Sequence, residues 1–194
     1  MNGRAPGRPP VLSRARIITI ARRIADDEGL EALTVRRVAQ ALGTGQASLY
    51  RHIQDRDELL RLLADDVAAN LPHLPAHPDP RDQIIGQWLD AYDYLSQHRW
   101  AARIIAEGEH VADTAAPFTD GALIALGALA ETTPNAGADL RRIYRVLWHL
   151  LLGHVLNVHP LGHTHPEAET TTSTPRDDYA WALPRVLDAL LKTP

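Results

Sequence analysis

The stretch LTVRRVAQALGTGQASLYRHIQDRDEL, residues 33–59, constrains the fold more than any other part of the chain. Two short amphipathic segments flank a glycine-bearing turn, and a third helix starts directly after them. Thr34 is placed to cap the first segment, because its hydroxyl can accept from a backbone N–H that has no partner within the helix. Val35, Val38, Ala39 and Leu42 recur at i, i+3, i+4 and i+7 and so share one buried stripe. Gly43 stands where a helix end wants a left-handed residue. Thr44 or Gly45 starts the next helix, over Gln46–Ile53, with Leu49 and Ile53 inward. Asp55 and Glu58 form a capping-box pattern for the apolar helix beyond. Short helix, tight turn and short helix spell a helix-turn-helix, whose second helix lies in the DNA major groove. Arg36, Gln46, Ser48, Tyr50, Arg51 and His52 are left on the outside, and all can reach base edges or phosphates.

Charge is segregated in a way that suits this reading. Residues 1–61 hold 11 arginines against 7 acids, or +4, whereas residues 62–194 hold 9 Lys/Arg against 17 Asp/Glu, or −8. A basic head on an acidic body is the electrostatic footprint of a DNA reader joined to a domain with another task. The absence of cysteine excludes disulfides, thiolate metal sites and a cysteine nucleophile. No run of 18 uncharged apolar residues exists, so no membrane span is expected. The opening MNGRAPGRPP has no apolar core, so no secretory signal is expected either and a cytoplasmic address follows.

The periodicity predicts an all-α fold. Residues 1–12 read as a flexible basic arm, in which Gly7, Arg8 and Pro9 suit an A·T minor groove. Ser13 caps a helix from Arg14 to Glu28 that turns Ile17, Ile20, Ala21 and Ile24 inward, and Gly29 with Leu30 behind it fits a Schellman stop. A leucine-rich helix over 56–71 is broken by the four prolines of residues 72–80. Helices follow over 81–97, over 99–107 with a stop at Gly108, from Pro117 to Glu131, over 139–158 and over Tyr179–Leu191, where Pro184 implies a kink or late start. Residues 159–178 have no period and read as a mobile polar loop. The expected domains are 1–12 (arm), 13–60 (DNA-binding) and 61–194 (effector binding and dimerisation).

The segment Leu33–Leu60, with the helix before it, resembles the DNA-binding domain of TetR-family transcriptional regulators, and within them the tetracycline repressor subgroup. The motif LT-x-R opens the first short helix, AQ-x-LG precedes the turn and LY-x-H lies in the reader. The resemblance implies that Arg36 reads a guanine, that Gln46 reads an adenine, and that Ser48 touches backbone or base. It implies that Tyr50 and His52 hold phosphates, that Arg56 replaces a lysine beside a phosphate at a helix N-terminus, and that Thr34 adds a hydroxyl contact. Ala47 stands where the subgroup has proline and Arg51 where it has tryptophan, so a different operator sequence is expected.

No serine nucleophile elbow, Walker loop or dinucleotide fingerprint occurs, and neither an enzyme nor a cofactor is expected. His149, His154, His159, His163 and His165 invite a metal site. But His149 and His154 are five apart and diverge by roughly 140° on a helix of 3.6 residues per turn, so no metal is expected. In the C-terminal body Trp88, Tyr92, Trp100, Phe118 and Trp148, with His98, Arg103, Glu107, His110 and His149 as polar partners, have the makings of a pocket for a small organic effector. The apolar residues Ile143, Val146, Leu147, Leu150, Leu151, Leu152, Val155 and Leu156, together with Leu183, Val186, Leu187, Leu190 and Leu191, suggest a homodimer seam. The expected protein is a homodimeric repressor that binds a palindromic operator and is released by a small molecule. The alternative from another class is an effector-insensitive architectural DNA-binding protein.

Overall fold

A computed structural model describes residues 12–107, 116–132, 139–157 and 174–192, and the following statements concern those residues. They form α1 (Arg14–Glu28), α2 (Val35–Ala41), α3 (Gln46–Leu49), α4 (Arg56–Ala69), α5 (Pro80–Gln97), α6 (Arg99–Glu107), α7 (Ala116–Glu131), α8 (Leu140–Leu156) and α9 (Pro175–Lys192), with one 3-10 turn at Leu30–Ala32 and no strand. The chain divides into two compact units between Leu63 and Ala64, within α4. No described helix is long and apolar enough to cross a membrane. The basic arm up to Val11, Gly108, His110, His159, His163 and His165 lie outside the described residues.

Side chains set the helix ends of the first unit. The hydroxyl of Ser13 accepts from the Arg16 N–H at 3.3 Å, and that of Thr34 from the Arg37 N–H at 3.1 Å. Each cap gives an otherwise orphaned donor its partner. Gly43 takes φ 65°. Its N–H reaches the Gln40 carbonyl while the Thr44 N–H reaches that of Ala39, which together make a Schellman ending. At Gly29 the expected Schellman stop is replaced by another exit. There φ is 84° but ψ is 166°, so the chain leaves α1 extended and enters the 3-10 turn. Ile17, Ala21, Ile24, Leu33, Val38, Leu49, Ile53, Leu59 and Leu63 are buried, one helical face after another.

The second unit opens with the proline-bearing segment after α4. Asp79 caps α5 through the Arg81 N–H at 2.8 Å, with Pro80 where a missing N–H does no harm. Ile84, Trp88, Ala91 and Leu95 share the buried face of α5. Gln87, fully buried, donates from Nε2 to the carbonyls of Pro72 and Phe118. Asp139 caps α8 through the Arg142 N–H at 3.0 Å. Ile143, Leu147, Leu151 and Val155 on α8, and Tyr179, Leu183, Leu187 and Leu191 on α9, are buried at i, i+4 spacing.

The last helix corrects the sequence reading. α9 begins at Pro175, and Pro184 sits inside it without ending it. Residues expected in the polar loop therefore belong to its first turn. Thr174 and Asp177 bond reciprocally, the Thr174 N–H to the carboxylate at 3.0 Å and the Asp177 N–H to the hydroxyl at 3.2 Å. That capping box fixes a helix start which the apolar period alone does not reveal.

Candidate nucleic-acid interface and effector region

The outward side of α2, α3 and the turn after α3 carries most of the expected DNA-reading residues. Arg36, Gln46, Ala47, Tyr50 and Arg51 are exposed, with Tyr50 53% accessible, while Val38, Ala39 and Leu49 hold the two helices from beneath. Ser48 is half-buried and its hydroxyl accepts from the Arg51 guanidinium at 3.3 Å. Thr34 is exposed but its oxygen is engaged as the α2 cap. The neighbouring Arg37 is held back by a paired hydrogen bond to Glu28, Nε to Oε2 at 3.0 Å. That bond raises the Arg37 pKa and holds the Glu28 carboxyl below its ordinary range.

α3 is shorter than the Gln46–Ile53 helix expected. Regular helix ends at Leu49, and Tyr50–His52 form a turn in which the His52 N–H bonds to the Leu49 carbonyl at 2.8 Å. The next cap pulls the chain away from helical geometry: Asp55 accepts from the Glu58 N–H at 2.8 Å, and the Glu58 carboxylate reaches back to the Gln54 N–H. Arg56 also departs from expectation. Its guanidinium donates to the carbonyls of Leu33, at 3.0 Å, and Leu30, at 3.3 Å, so the fork grips the chain itself. His52 is half-buried, and its carbonyl accepts from Arg14 at 3.0 Å. Arg14 and Glu58 complete the support of this surface. The sequence marked Glu58 as half of a capping box with Asp55, as found, but gave Arg14 no role there.

The expected effector residues fall into separate groups. Trp88, Phe118 and Trp148 meet in one aromatic cluster, with centroids 5.4–5.5 Å apart. Tyr144, which the sequence reading missed, lies 5.6 Å from Trp88. Its hydroxyl bonds to Thr119 at 3.0 Å and accepts from the Trp148 indole N–H, and burial raises its pKa. Tyr92 stacks on Tyr179 at 5.0 Å, and burial pushes the Tyr179 hydroxyl well up. His98 packs against Tyr94 and Trp100, while Arg103 is exposed. Trp88, Tyr92, Trp100 and Phe118 are buried core, where interdigitated rings fill space rather than line it. Three buried polar atoms in this unit, Gln87 Oε1, Trp88 Nε1 and the Tyr179 hydroxyl, have no hydrogen-bond partner among the described residues.

An open cleft of about 450 Å³ lies between α6 and α8, lined by Ile105, Ala106, Arg145, Trp148, His149 and Leu152. Of the expected effector residues it takes in Trp148 and His149. His154 sits elsewhere, with Nδ1 2.8 Å from the Leu150 carbonyl and its ring 5.3 Å from that of Tyr179. Among the described residues no group of three or more His, Cys, Asp or Glu is placed to hold a metal ion. The expected seam residues Ile143, Leu147, Leu151, Val155, Leu183, Leu187 and Leu191 are buried within one chain, because α8 and α9 pack on each other. Val146, Leu150, Leu152, Leu156, Val186 and Leu190 remain half-exposed, and Trp181 is 63% exposed under the Arg185 guanidinium.

Two short helices around a Schellman turn, the second with its polar side chains outward, define a helix-turn-helix domain. Residues 17–63 match the family model described as bacterial regulatory proteins, tetR family. That match spans the helix-turn-helix segment, so it is this segment that is similar to the TetR family. It is 41% identical over 101 residues to the HTH-type transcriptional repressor DrrR1 of Streptomyces coeruleorubidus, covering 51% of this chain and 35% of that protein. The chain thus spans about a third of that relative's length. Among solved structures, the Streptomyces coelicolor TetR family protein ActR in complex with (S)-DNPA has a TM-score of 0.71 at 23% identity, over 95% of this chain and 98% of ActR. BioQ bound to its natural double-stranded DNA operator has a TM-score of 0.65 at 21% identity, over 94% of this chain and all (100%) of BioQ. Both likenesses are of fold.

Proposed function

We propose that this chain is a homodimeric transcriptional repressor that grips a palindromic operator with paired helix-turn-helix units and lets go when a small organic effector binds its C-terminal helices. One observation carries the reading: Arg36, Gln46 and Ala47 stand exposed on two short helices whose buried residues are apolar, and Tyr50 and Arg51 stand exposed on the turn that follows. Arg36 presents a planar fork suited to guanine O6 and N7, and Gln46 an amide suited to adenine. Ser48, Tyr50, Arg51 and His52 supply backbone contacts that set register, Thr34 adds its hydroxyl at the α2 end, and Arg56 adds charge at the start of α4. The names of DrrR1, a repressor, and of the operator-bound BioQ support this assignment.

Two-fold readers engage half-sites about 34–36 Å apart, and the half-exposed apolar flanks of α8 and α9 supply a self-complementary seam. Effector binding shifts α4 and so the spacing of the two readers, by no more than the effector's differential affinity for the two states allows. The ligand-bound ActR structure supports an effector for this fold. Nuclease footprinting of purified protein on DNA flanking its own gene tests the proposal. A short protected palindrome with steep salt dependence is expected. A diffuse footprint without sequence preference instead identifies the architectural alternative, and unchanged binding by the Arg36→Ala/Tyr50→Phe double variant removes the assigned surface.

A further inference from the structure

The α6–α8 cleft combines a cationic side chain with aromatic and apolar walls. Arg145, Trp148, His149 and Leu152 stand at i, i+3, i+4 and i+7 on α8, so one face presents a guanidinium, an indole, an imidazole and an isobutyl group together. Ile105 and Ala106 of α6 form the opposite wall. Among the described residues no acidic side chain lines the cleft, although residues 62–194 carry a net −8 (9 Lys/Arg against 17 Asp/Glu). Arg145 has no carboxylate partner among the described residues. By contrast, Arg81 bonds to Asp188 at 2.9 Å and Arg176 to Asp93 at 2.6 Å. An unpaired guanidinium beside apolar walls in an acidic body is a ready counter-charge for an incoming anion.

The floor is fixed. The Trp148 indole packs edge-on to Trp88 at 5.4 Å and 75° and lies against Phe118 at 5.5 Å. Its N–H is held by the Tyr144 hydroxyl, itself bonded to Thr119. The indole is thus braced from α5 and α7 while remaining half-exposed to the cleft. A braced, half-exposed ring is a stacking platform that loses little freedom when something lies on it. At about 450 Å³ the cleft falls within the range of small-molecule sites.

We propose that this cleft binds a small planar aromatic anion, its ring system on Trp148 between Ile105 and Leu152 and its carboxylate or sulfonate on Arg145, with the His149 ring N–H as second donor. This rests on the effector reading above and gives that effector its chemical class.

Two dyes of the same skeleton test it on the full chain: the anionic 8-anilino-1-naphthalenesulfonate and the neutral N-phenyl-1-naphthylamine, titrated by fluorescence without DNA. We expect saturable binding of the anion at one per protomer, at least tenfold weaker in Arg145→Gln, with the neutral dye changed less than twofold. Ala106→Trp, which fills the cleft, weakens both dyes tenfold or more. Equal effects of Arg145→Gln on both dyes, or full binding of both by Ala106→Trp, overturns the proposal. So does dissociation of a dimer by either substitution in sedimentation, which makes the cleft a subunit contact. Footprinting is read separately, so loss of dye binding with an intact footprint rejects this site and leaves the DNA reading standing.

Discussion

The guanidinium of Arg14 donates to the Glu58 carboxylate at 3.0 Å and, through Nε, to the His52 carbonyl at 3.0 Å. The first residue of α1 therefore fastens the turn that follows the reader to the cap of α4. Glu58 is the centre of this arrangement, since its carboxylate also takes the Gln54 N–H while its own N–H serves Asp55. Glu58→Leu leaves those donors without a partner and is expected to cost about 1–3 kcal/mol. Arg14 is more than half exposed, and Arg14→Ala is expected to cost under about 1 kcal/mol. Urea midpoints of the two variants check the asymmetry, and equal losses refute it.

Conformation alone separates two glycines of the reader. Gly43 has φ 65°, whereas Gly45 has φ −79° as the residue that caps α3. Gly43→Ala is expected to destabilise by about 1 kcal/mol or slightly more, because a Cβ is disfavoured in that region. Gly45→Ser, which adds a capping hydroxyl in open space, is expected to be stabilising by a few tenths of a kcal/mol. Thermal unfolding of both variants is the measurement.

DNA contacts of different kinds leave different signatures. Arg36→Ala is expected to lose about 1–3 kcal/mol on the operator and to relax preference at one base pair. Tyr50→Phe weakens all sequences alike and keeps the salt slope, since no charge is lost. Arg51→Ala lowers that slope by about one. Gel-shift titrations over a salt series on operator and mutated duplexes distinguish the three, and a base-specific effect of Tyr50→Phe contradicts its role.

Phe118 is packing, whatever else the unit binds. It is 1% exposed and touches both Trp88 and Trp148. Phe118→Ala is expected to cost about 3–5 kcal/mol in ligand-free protein. A loss that appears only with ligand present would reassign it.

The Arg81 hydrogen bond holds the Asp188 carboxyl below the usual carboxylate range. Asp177 is likewise lowered, first by the Thr174 backbone N–H. Because the unfolded chain takes up these protons first, their stabilisation is complete above the ordinary Asp value of about 3.9 and is lost as pH falls through the folded values. Asp188→Asn is therefore expected to flatten the acid limb of stability. At neutral pH it costs under about 1 kcal/mol, since the pair is partly exposed and screened. Urea unfolding at pH 7 and pH 3 reads both arms.

What could be read in advance depended on how local the cause was. The caps at Ser13, Thr34 and Asp55 and the Gly43 turn arise within four residues of chain, and each forms as its spacing dictates. Thr174 with Asp177 is just as local, but it sits in a polar run before Pro184, and periodicity is silent where no apolar residue recurs. Direction in space was less legible. Arg56 has the residue type of a phosphate clamp, yet two carbonyls from the Leu30–Leu33 segment come within its reach and turn it inward. The aromatic residues of α5, α7 and α8 were identifiable as a set. Which of them fill space and which face a cleft was decided by how the helices pack, something no single periodicity encodes.

The proline-bearing segment after α4 is riveted rather than slack. Pro72 is pinned by the Gln87 amide. A Cβ at Gly86 would come within 3.2 Å of Pro75, and one at Gly121 within 3.4 Å of Leu74. The missing methyl group at Gly86 thus makes room for the strap, and Gly121 leaves it in close contact. Length polymorphism here will behave as damage to the interior, and divergent homologues should keep the strap's residue count even where its composition drifts.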